Sequence, residues 1–330
     1  MSKALSAIFP VILSLLLSSG RPGPAAQQAQ PDESLKLGIE LIVMDVQVLE
    51  KDNGRPLGGL KREHFAVFED DVRQRITHFS QDKLPLSILL LLDVSGSVRP
   101  YAQQIRDGAL EAIQHLKPED EVALAAFGTS AKIVHSFTRD RRVIADEIES
   151  VFRNAHVGRL TFLPEGVYQA AVHFKESTNP ASRRVIILVT DNISNQFRFK
   201  AHSGGDALLE LYESGAVVCG LLVNRKGGAI HKAFRYHPLL FLMNDTADAD
   251  TFADRTGGEV LNAGSGEIET SLLSLIEHLR TRYAIGYTSS NSKHDGKFRK
   301  VKIKISPEIE KQHGKVAVLT RRGYYAAKGK

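Results

Sequence analysis

Three apolar runs organise the middle of the chain. Leu86 to Leu92 reads LSILLLL, Arg184 to Thr190 contains VIILVT, and Ala216 to Val223 is apolar apart from a glycine. Runs of this length without alternation suit strands buried on both faces of a sheet. Helical periodicity fills the gaps: Tyr101 to Leu116, stopped by Pro118; Asp140 to Asn154, with Val143, Ile144, Ile148 and Val151; Glu165 to Lys175; and Gly204 to Ser214. Val122 to Phe127 and Ile133 to Phe137 read as further strands. Ala249 to Arg255, Glu259 to Asn262 and Gly266 to Arg282 continue as helix, strand and helix. Alternation of this kind predicts an α/β fold: a doubly wound, mostly parallel, Rossmann-like sheet with helices on both faces. Ligands of such sheets bind outside the carboxyl ends of strands, at a topological switch point.

The flanks have a different texture. Leu37 to Glu50 carries β-branched Ile39, Ile42, Val43, Val46 and Val48, and Asp52-Asn53-Gly54 marks a tight turn. Phe65 to Phe68 and Gln74 to Phe79 read as short strands, as do Tyr283 to Thr288, Phe298 to Ser306 and Lys315 to Thr320. From Val301 to Ile305 apolar residues alternate with Lys302 and Lys304, the pattern of a half-buried strand with a lysine face. The expected organisation is an N-terminal β segment over residues 37–80, an α/β domain over 83–284 and a C-terminal β segment over 286–326. Neither β segment has enough strands for a core of its own, so the two are expected to pack into one small β-sandwich-like unit.

Residues 1–26 have the layout of a signal peptide. Lys3 precedes an apolar core from Ala7 to Leu17, and the small residues Gly23-Pro24-Ala25-Ala26 follow. Roughly eleven apolar-dominated positions are too few to span a bilayer stably. Cleavage and a secreted, periplasmic or envelope location are expected, with residues 27–36 as a flexible leader; an uncleaved anchor is the alternative. No later stretch reads as a membrane span. The formal charge of +5 is unevenly placed, because Lys293 to Lys330 holds twelve Lys or Arg against three Asp or Glu. A solvated strand face accounts for this excess, with an anionic surface or nucleic acid as the other reading. Cys219 is the only cysteine, so no internal disulfide forms, and its apolar surroundings read as burial.

The chemistry gathers at strand ends. Asp93-Val94-Ser95-Gly96-Ser97 follows the first apolar run, and Thr190-Asp191 ends the second. D-x-S-x-S puts a carboxylate and two hydroxyls on alternate positions of one turn, and Gly96 is expected to let that turn bend tightly. Two carboxylates with hydroxyls are hard oxygen donors, suited to Mg²⁺ or Ca²⁺ rather than zinc. Helix capping by Asp93 and Ser97 would explain the first cluster but not Asp191.

Leu86–Ser97, an apolar strand running into D-x-S-x-S, resembles the von Willebrand factor type A domain and its metal-ion-dependent adhesion site. The resemblance covers about residues 83–284. In that family a threonine from a later loop and an aspartate at the end of a later strand complete the site. Asp191 matches the aspartate. Thr161 matches the threonine, since it precedes Leu163, Gly166 and Val167, which open a helix. The resemblance therefore implies a metal set of Asp93, Ser95, Ser97, Thr161 and Asp191, holding Mg²⁺ with Mn²⁺ and Ca²⁺ as alternatives. It also implies an adhesion module whose open metal position takes an Asp or Glu of a protein partner. The β-rich ends, with Gly323-Tyr324-Tyr325, resemble a bacterial subgroup with flanking β segments. Two positions depart from the family pattern: Gly158-Arg159-Leu160 stands where Gly-Gly usually precedes the threonine, and Asn192 where a glycine usually follows the aspartate.

Other classes fit less well. A scaffold with a vestigial metal site is the runner-up. A Mg²⁺-dependent phosphatase of the aspartyl-nucleophile type needs a second acid where Ser95 stands. A serine hydrolase elbow needs glycines two positions either side of the serine, where Asp93 and Ser97 stand. Gly264-Ser265-Gly266 lacks the third glycine of a dinucleotide loop, with Glu269 in its place. Phe298, Tyr324 and Tyr325 in the basic tail suit a sandwich core as well as nucleobase stacking, so no nucleic-acid partner is expected.

Overall fold

The computed structural model describes residues 41–193, 202–223, 248–264 and 266–328. The expected signal peptide and leader lie outside the described residues. The described residues, from Leu41 onward, form one unit.

The chain opens in four strands, β1 (Leu41–Glu50), β2 (Phe65–Glu69), β3 (Val72–Gln74) and β4 (Ile76–Ser80). It then alternates: β5 (Leu86–Asp93), α1 (Ala102–Gln114), β6 (Glu121–Phe127), β7 (Ala131–Thr138), α2 (Arg141–Asn154), α3 (Leu163–His173) and β8 (Arg183–Thr190). It continues through α4 (Gly204–Ser214), β9 (Val217–Val223), α5 (Ala249–Thr256), β10 (Val260–Ala263) and α6 (Ile268–Leu279). It closes with β11 (Tyr283–Thr288), β12 (Phe298–Ile305), α7 (Pro307–His313), β13 (Val316–Leu319) and β14 (Gly323–Tyr325).

The central sheet has the order β10-β9-β8-β5-β6-β7, parallel except for β7. Each of the eight residues of β5 is buried, as are all seven of β6 and of β9, which is why those segments lack alternation. One core lies on each face of the sheet. Ile88, Leu90 and Leu92 pack against α1, α2 and α6, while Leu89 and Leu91 pack against α3 and α4. The mostly parallel α/β architecture is thus the one the alternation predicts. The short helix α7 has no counterpart in the sequence reading. It is a seven-residue helix of about two turns that begins at Pro307, with only Ile309 buried, and so carries no readable periodicity.

Two four-stranded antiparallel sheets, β13-β1-β11-β4 and β14-β12-β2-β3, face each other. Strand β1 pairs with β11 and β13, and β2 pairs with β12. Between the sheets lies one core, in which Met44, Val46, Phe65 and Val67 meet Tyr283, Ile285, Tyr287, Val301 and Ile303. Glu69 is buried there and accepts from the hydroxyls of Tyr287, Tyr324 and Ser289.

The second face of β1 joins the sandwich to the α/β domain through charge. Asp45 pairs with Arg183 Nε at 2.9 Å and Arg282 Nε at 2.5 Å. Arg282 is fully buried and also donates to Gln47 Oε1 and the Gly257 carbonyl. Arg183 also donates to the Leu279 carbonyl. Arg183 begins β8, so the joint lies at the amino ends of the parallel strands. Gly257 allows the closest approach: its φ is +82°, and a Cβ would stand 2.3 Å from the Thr320 backbone.

Removing one member of a buried ion pair strands the other and typically costs about 3–5 kcal/mol. Arg282→Met is expected to lose stability in this range, read as a lowered urea midpoint at unchanged slope. An unchanged midpoint would show that the joint contributes nothing to stability.

Candidate metal site at the sheet switch point

In the central sheet β5 is followed on one side by β6, and the chain then crosses to place β8 on the other side. The reversal puts the switch point between β5 and β8, and Asp93 and Asp191 stand at the carboxyl ends of these two strands. Register does the rest. Leu92 sits opposite Val189, which brings Asp93 level with Thr190, and the Thr190 hydroxyl donates to Asp93 Oδ2 at 2.6 Å. The Ser95 amide donates to Asp93 Oδ1 at 2.9 Å.

The D-x-S-x-S turn runs from interior to surface. Asp93 and Ser95 are fully buried, Ser97 is exposed, and the two serine hydroxyls lie 3.3 Å apart. Three loops hold this turn. Val94 N–H donates to the Phe127 carbonyl and Gly96 N–H to the Arg159 carbonyl. Leu160 N–H donates to Thr129 Oγ1, and Phe162 N–H to the Gly128 carbonyl. Thr161 lies between these two anchors and is buried. Asp191 is nearly buried, and its Oδ1 accepts from Ile193 N–H at 3.1 Å.

Gly96 does not have the conformational role expected of it. Its φ is not in the left-handed region, and a Cβ there would meet the Arg159 carbonyl at an ordinary 3.6 Å. The demanding glycines are in the partner loops. A Cβ on Gly128 would stand 2.6 Å from the Gly158 carbonyl, and Gly158 has φ +87° with Thr129 Oγ1 only 2.3 Å from its Cβ position.

Asn192, which stands where a glycine is usual, takes a glycine-like backbone at φ +61°. Asparagine is among the few side chains that tolerate this region. Its Oδ1 accepts the Ala249 amide at the start of α5, so the substitution adds a helix cap.

The electrostatics are one-sided. Burial pushes the Asp93 carboxyl up to about 6; hydrogen bonds from Ser95 and Thr190 pull the other way, and the negative charge of Asp191 adds to the rise. Among the described residues, no lysine, arginine or histidine is one of the main groups that set it. The hydrogen bonds to Asp93 come from the Ser95 amide and side chain and from the Thr190 hydroxyl, all neutral donors. A buried carboxylate with no positive partner among the described residues, beside a second carboxylate and several hydroxyls, has the donor chemistry that a hard divalent cation fits. Among the described residues no three His, Cys, Asp or Glu side chains gather at one point, so any such cation would depend on the hydroxyls.

Thr190 and the Glu165 cluster were not singled out from sequence. Glu165, on α3 just after Thr161, accepts from Gln169 and from the His202 amide, and lies 2.8 Å from His202 Nδ1. The His202 ring stacks on Tyr168 with centroids 3.5 Å apart. Burial would raise the Glu165 carboxyl, but the His202 and Gln169 bonds outweigh it and hold it below its ordinary value. The i, i+4 spacing of Glu165 and Gln169 was a readable signal; His202, far along the chain, offered none.

The architecture is an open, mostly parallel α/β sheet with oxygen donors at its switch point. Residues 88–194 match the family model of the von Willebrand factor type A domain. Similar solved structures include an aerotolerance-related membrane protein from Bacteroides fragilis, at 16% identity over 59% of this chain and 98% of that one, with a TM-score of 0.42. BatB, a conserved hypothetical protein from Bacteroides thetaiotaomicron, shares 18% identity over 59% and 98% of the two chains, with a TM-score of 0.42. Proximal thread matrix protein 1 from the mussel byssus, with a zinc-occupied MIDAS motif, shares 17% over 59% and 48%, with a TM-score of 0.43. No curated protein matches the chain.

Left-handed backbone costs an ordinary side chain about 1–2 kcal/mol. Asn192→Val is therefore expected to lower thermal stability by at least that amount, while Asn192→Gly loses only the cap. Equal losses in the two variants would mean that the bond to Ala249, not the backbone, is what Asn192 supplies.

Proposed function

We propose that the protein is a non-catalytic interaction module that binds a partner protein through a divalent cation held by Asp93, Ser95, Ser97, Thr161 and Asp191. The observation that carries this reading is the buried Asp93 carboxylate, beside a second carboxylate and, among the described residues, with no cationic side chain among the groups that set its charge. Asp93 and Asp191 would hold the cation directly or through water, and the three hydroxyls would supply neutral oxygens. The cation, when bound, supplies positive charge and a coordination position for a carboxylate of the partner. Ser97 is the exposed member of the set and marks the side from which the partner would approach. Mg²⁺ is the favoured ion, with Mn²⁺ and Ca²⁺ as alternatives, because all the donors are hard oxygens.

A cation that binds only the folded state stabilises it by about 2.7 kcal/mol at 100 times its dissociation constant. Millimolar Mg²⁺ or Mn²⁺ is expected to raise the melting temperature of the wild type. Asp93→Ala should abolish the rise, Asp191→Ala should weaken it strongly, and Thr161→Ala should weaken it less, since a hydroxyl rather than a charge is lost. Without metal, Asp93→Ala should be at least as stable as the wild type, because the repulsion from Asp191 is gone. A wild-type melting temperature indifferent to Mg²⁺, Mn²⁺ and Ca²⁺ would leave a scaffold with a family-like loop and no working site.

We also propose export to the envelope or beyond, on the strength of Lys3, the Ala7–Leu17 core and the small residues after it. N-terminal sequencing of the mature protein should then begin near Ala26 or Gln27, and intact Met1 in a soluble cytoplasmic pool would refute it.

A further inference from the structure

We propose that the outer face of the β14-β12-β2-β3 sheet docks on an anionic phospholipid surface. The residues that carry the proposal are Lys300, Lys302 and Lys304 on β12, with Arg73 two strands away. Strand β12 turns Arg299, Val301 and Ile303 inward and these three lysines outward. Exposed lysines on a sheet are ordinarily explained as protection of an edge strand. Strand β12 pairs with β14 over residues 298–300 and with β2 over 301–305, so edge protection can account for Lys302 and Lys304 but not for Lys300, which extends the row onto the stretch paired with β14. Lysine is also a poor strand former, and alternate residues on one face stand only about 7 Å apart, so the row repels itself without compensating benefit to the fold.

Among the described residues, no carboxylate pairs with the row. Register places Lys302 beside Phe68, and Phe68 beside Arg73, on the same exposed face. The Lys304 ammonium lies over the Phe68 ring, 4.9 Å from its centroid. Arg62, Arg73 and Arg75 line an open groove of about 560 Å³ beside this face, with Glu63 as its one acid. The other acids close by are Asp70 and Asp71 in the β2–β3 turn; Asp70 accepts the Lys300 backbone amide rather than its ammonium. Among the described residues, none of these six cations is in an ion pair with a carboxylate.

The distribution of charge selects the occupant. The lysine row and Arg73 are separated by two strand spacings, about 10 Å, with the neutral side chains of β2 between them. A single polyanionic chain would track one row; a plane of anionic head groups meets both. Attachment would be peripheral, since no described helix is long and apolar enough to cross a membrane. The candidate metal site, at the carboxyl ends of the parallel strands, lies at the opposite pole from the joint with the sandwich.

The test is co-sedimentation of the full chain with vesicles of phosphatidylcholine alone and of an equimolar mixture with phosphatidylglycerol. The readout is the gain in binding from the first to the second, which removes any contribution of the apolar N-terminal segment. The wild type should show a large gain that molar salt abolishes. Each lysine near an anionic surface contributes about fivefold in affinity, so the triple variant K300T/K302T/K304T should lose on the order of a hundredfold. Should that variant fold poorly by circular dichroism, the exposed pair K302T/R73T should lose about twenty-fivefold. A charge-matched control, K51S/K83S/K132S, should keep the gain. No gain for the wild type, or equal loss in the control, would overturn the proposal. So would retention on immobilised heparin without any vesicle gain, which would assign the face to a polyanionic chain.

Discussion

Strand β5 is buried along all eight of its residues, and its neighbours β6 and β9 are buried end to end as well. A strand with no solvent face can place charge only near its ends. That constraint concentrates the polar chemistry of the α/β domain at two poles. At the amino pole, Ser87 and Glu121 bond to each other and to Ser177 and Thr178. Asp120 caps the Leu86 and Lys117 amides and pairs with Arg280. At the carboxyl pole stand Asp93, Thr190 and Asp191.

The two poles are balanced differently. At the amino pole Asp120 meets Arg280 and Glu121 a set of hydroxyl donors, while Arg183 and Arg282 tie Asp45 of the sandwich to the α/β domain. Asp93 has neutral donors and an acidic neighbour. Among the described residues, charge is satisfied at one end and left without a cationic partner at the other, which is the end where the proposed cation would sit. That asymmetry, more than any one distance, is what makes the proposed interaction function physically coherent.

The readable part of the sequence follows from the same constraint. The unbroken apolar runs announce doubly buried strands, and the acids that end them announce a switch-point site, so the α/β class and the neighbourhood of Asp93 and Asp191 were legible. Other features depend on register or on distant loops. Thr190 reaches Asp93 only because Leu92 pairs with Val189, and no local pattern encodes that pairing. Gly96 looked indispensable by residue type, yet the close approaches fall at Gly128 and Gly158, whose neighbours come from another loop. Asn192 looked like a loss because a glycine is usual there; its left-handed backbone and its bond to Ala249 are properties of the folded chain.

The pairing of β1 with β11 has a consequence for biosynthesis. Val46 sits opposite Tyr283, so roughly 240 residues must be made before β1 finds its partner. At ribosomal rates of about 5–20 residues per second, that is a wait on the order of ten to fifty seconds. During it Ile42, Met44, Val46 and Val48 have no core to enter, and an unpaired strand of this composition is prone to aggregate. The α/β domain, whose strands neighbour one another closely in sequence, can close first. The sandwich can assemble only when the last strands arrive, so the nascent chain depends on shielding of its first β segment for most of its synthesis.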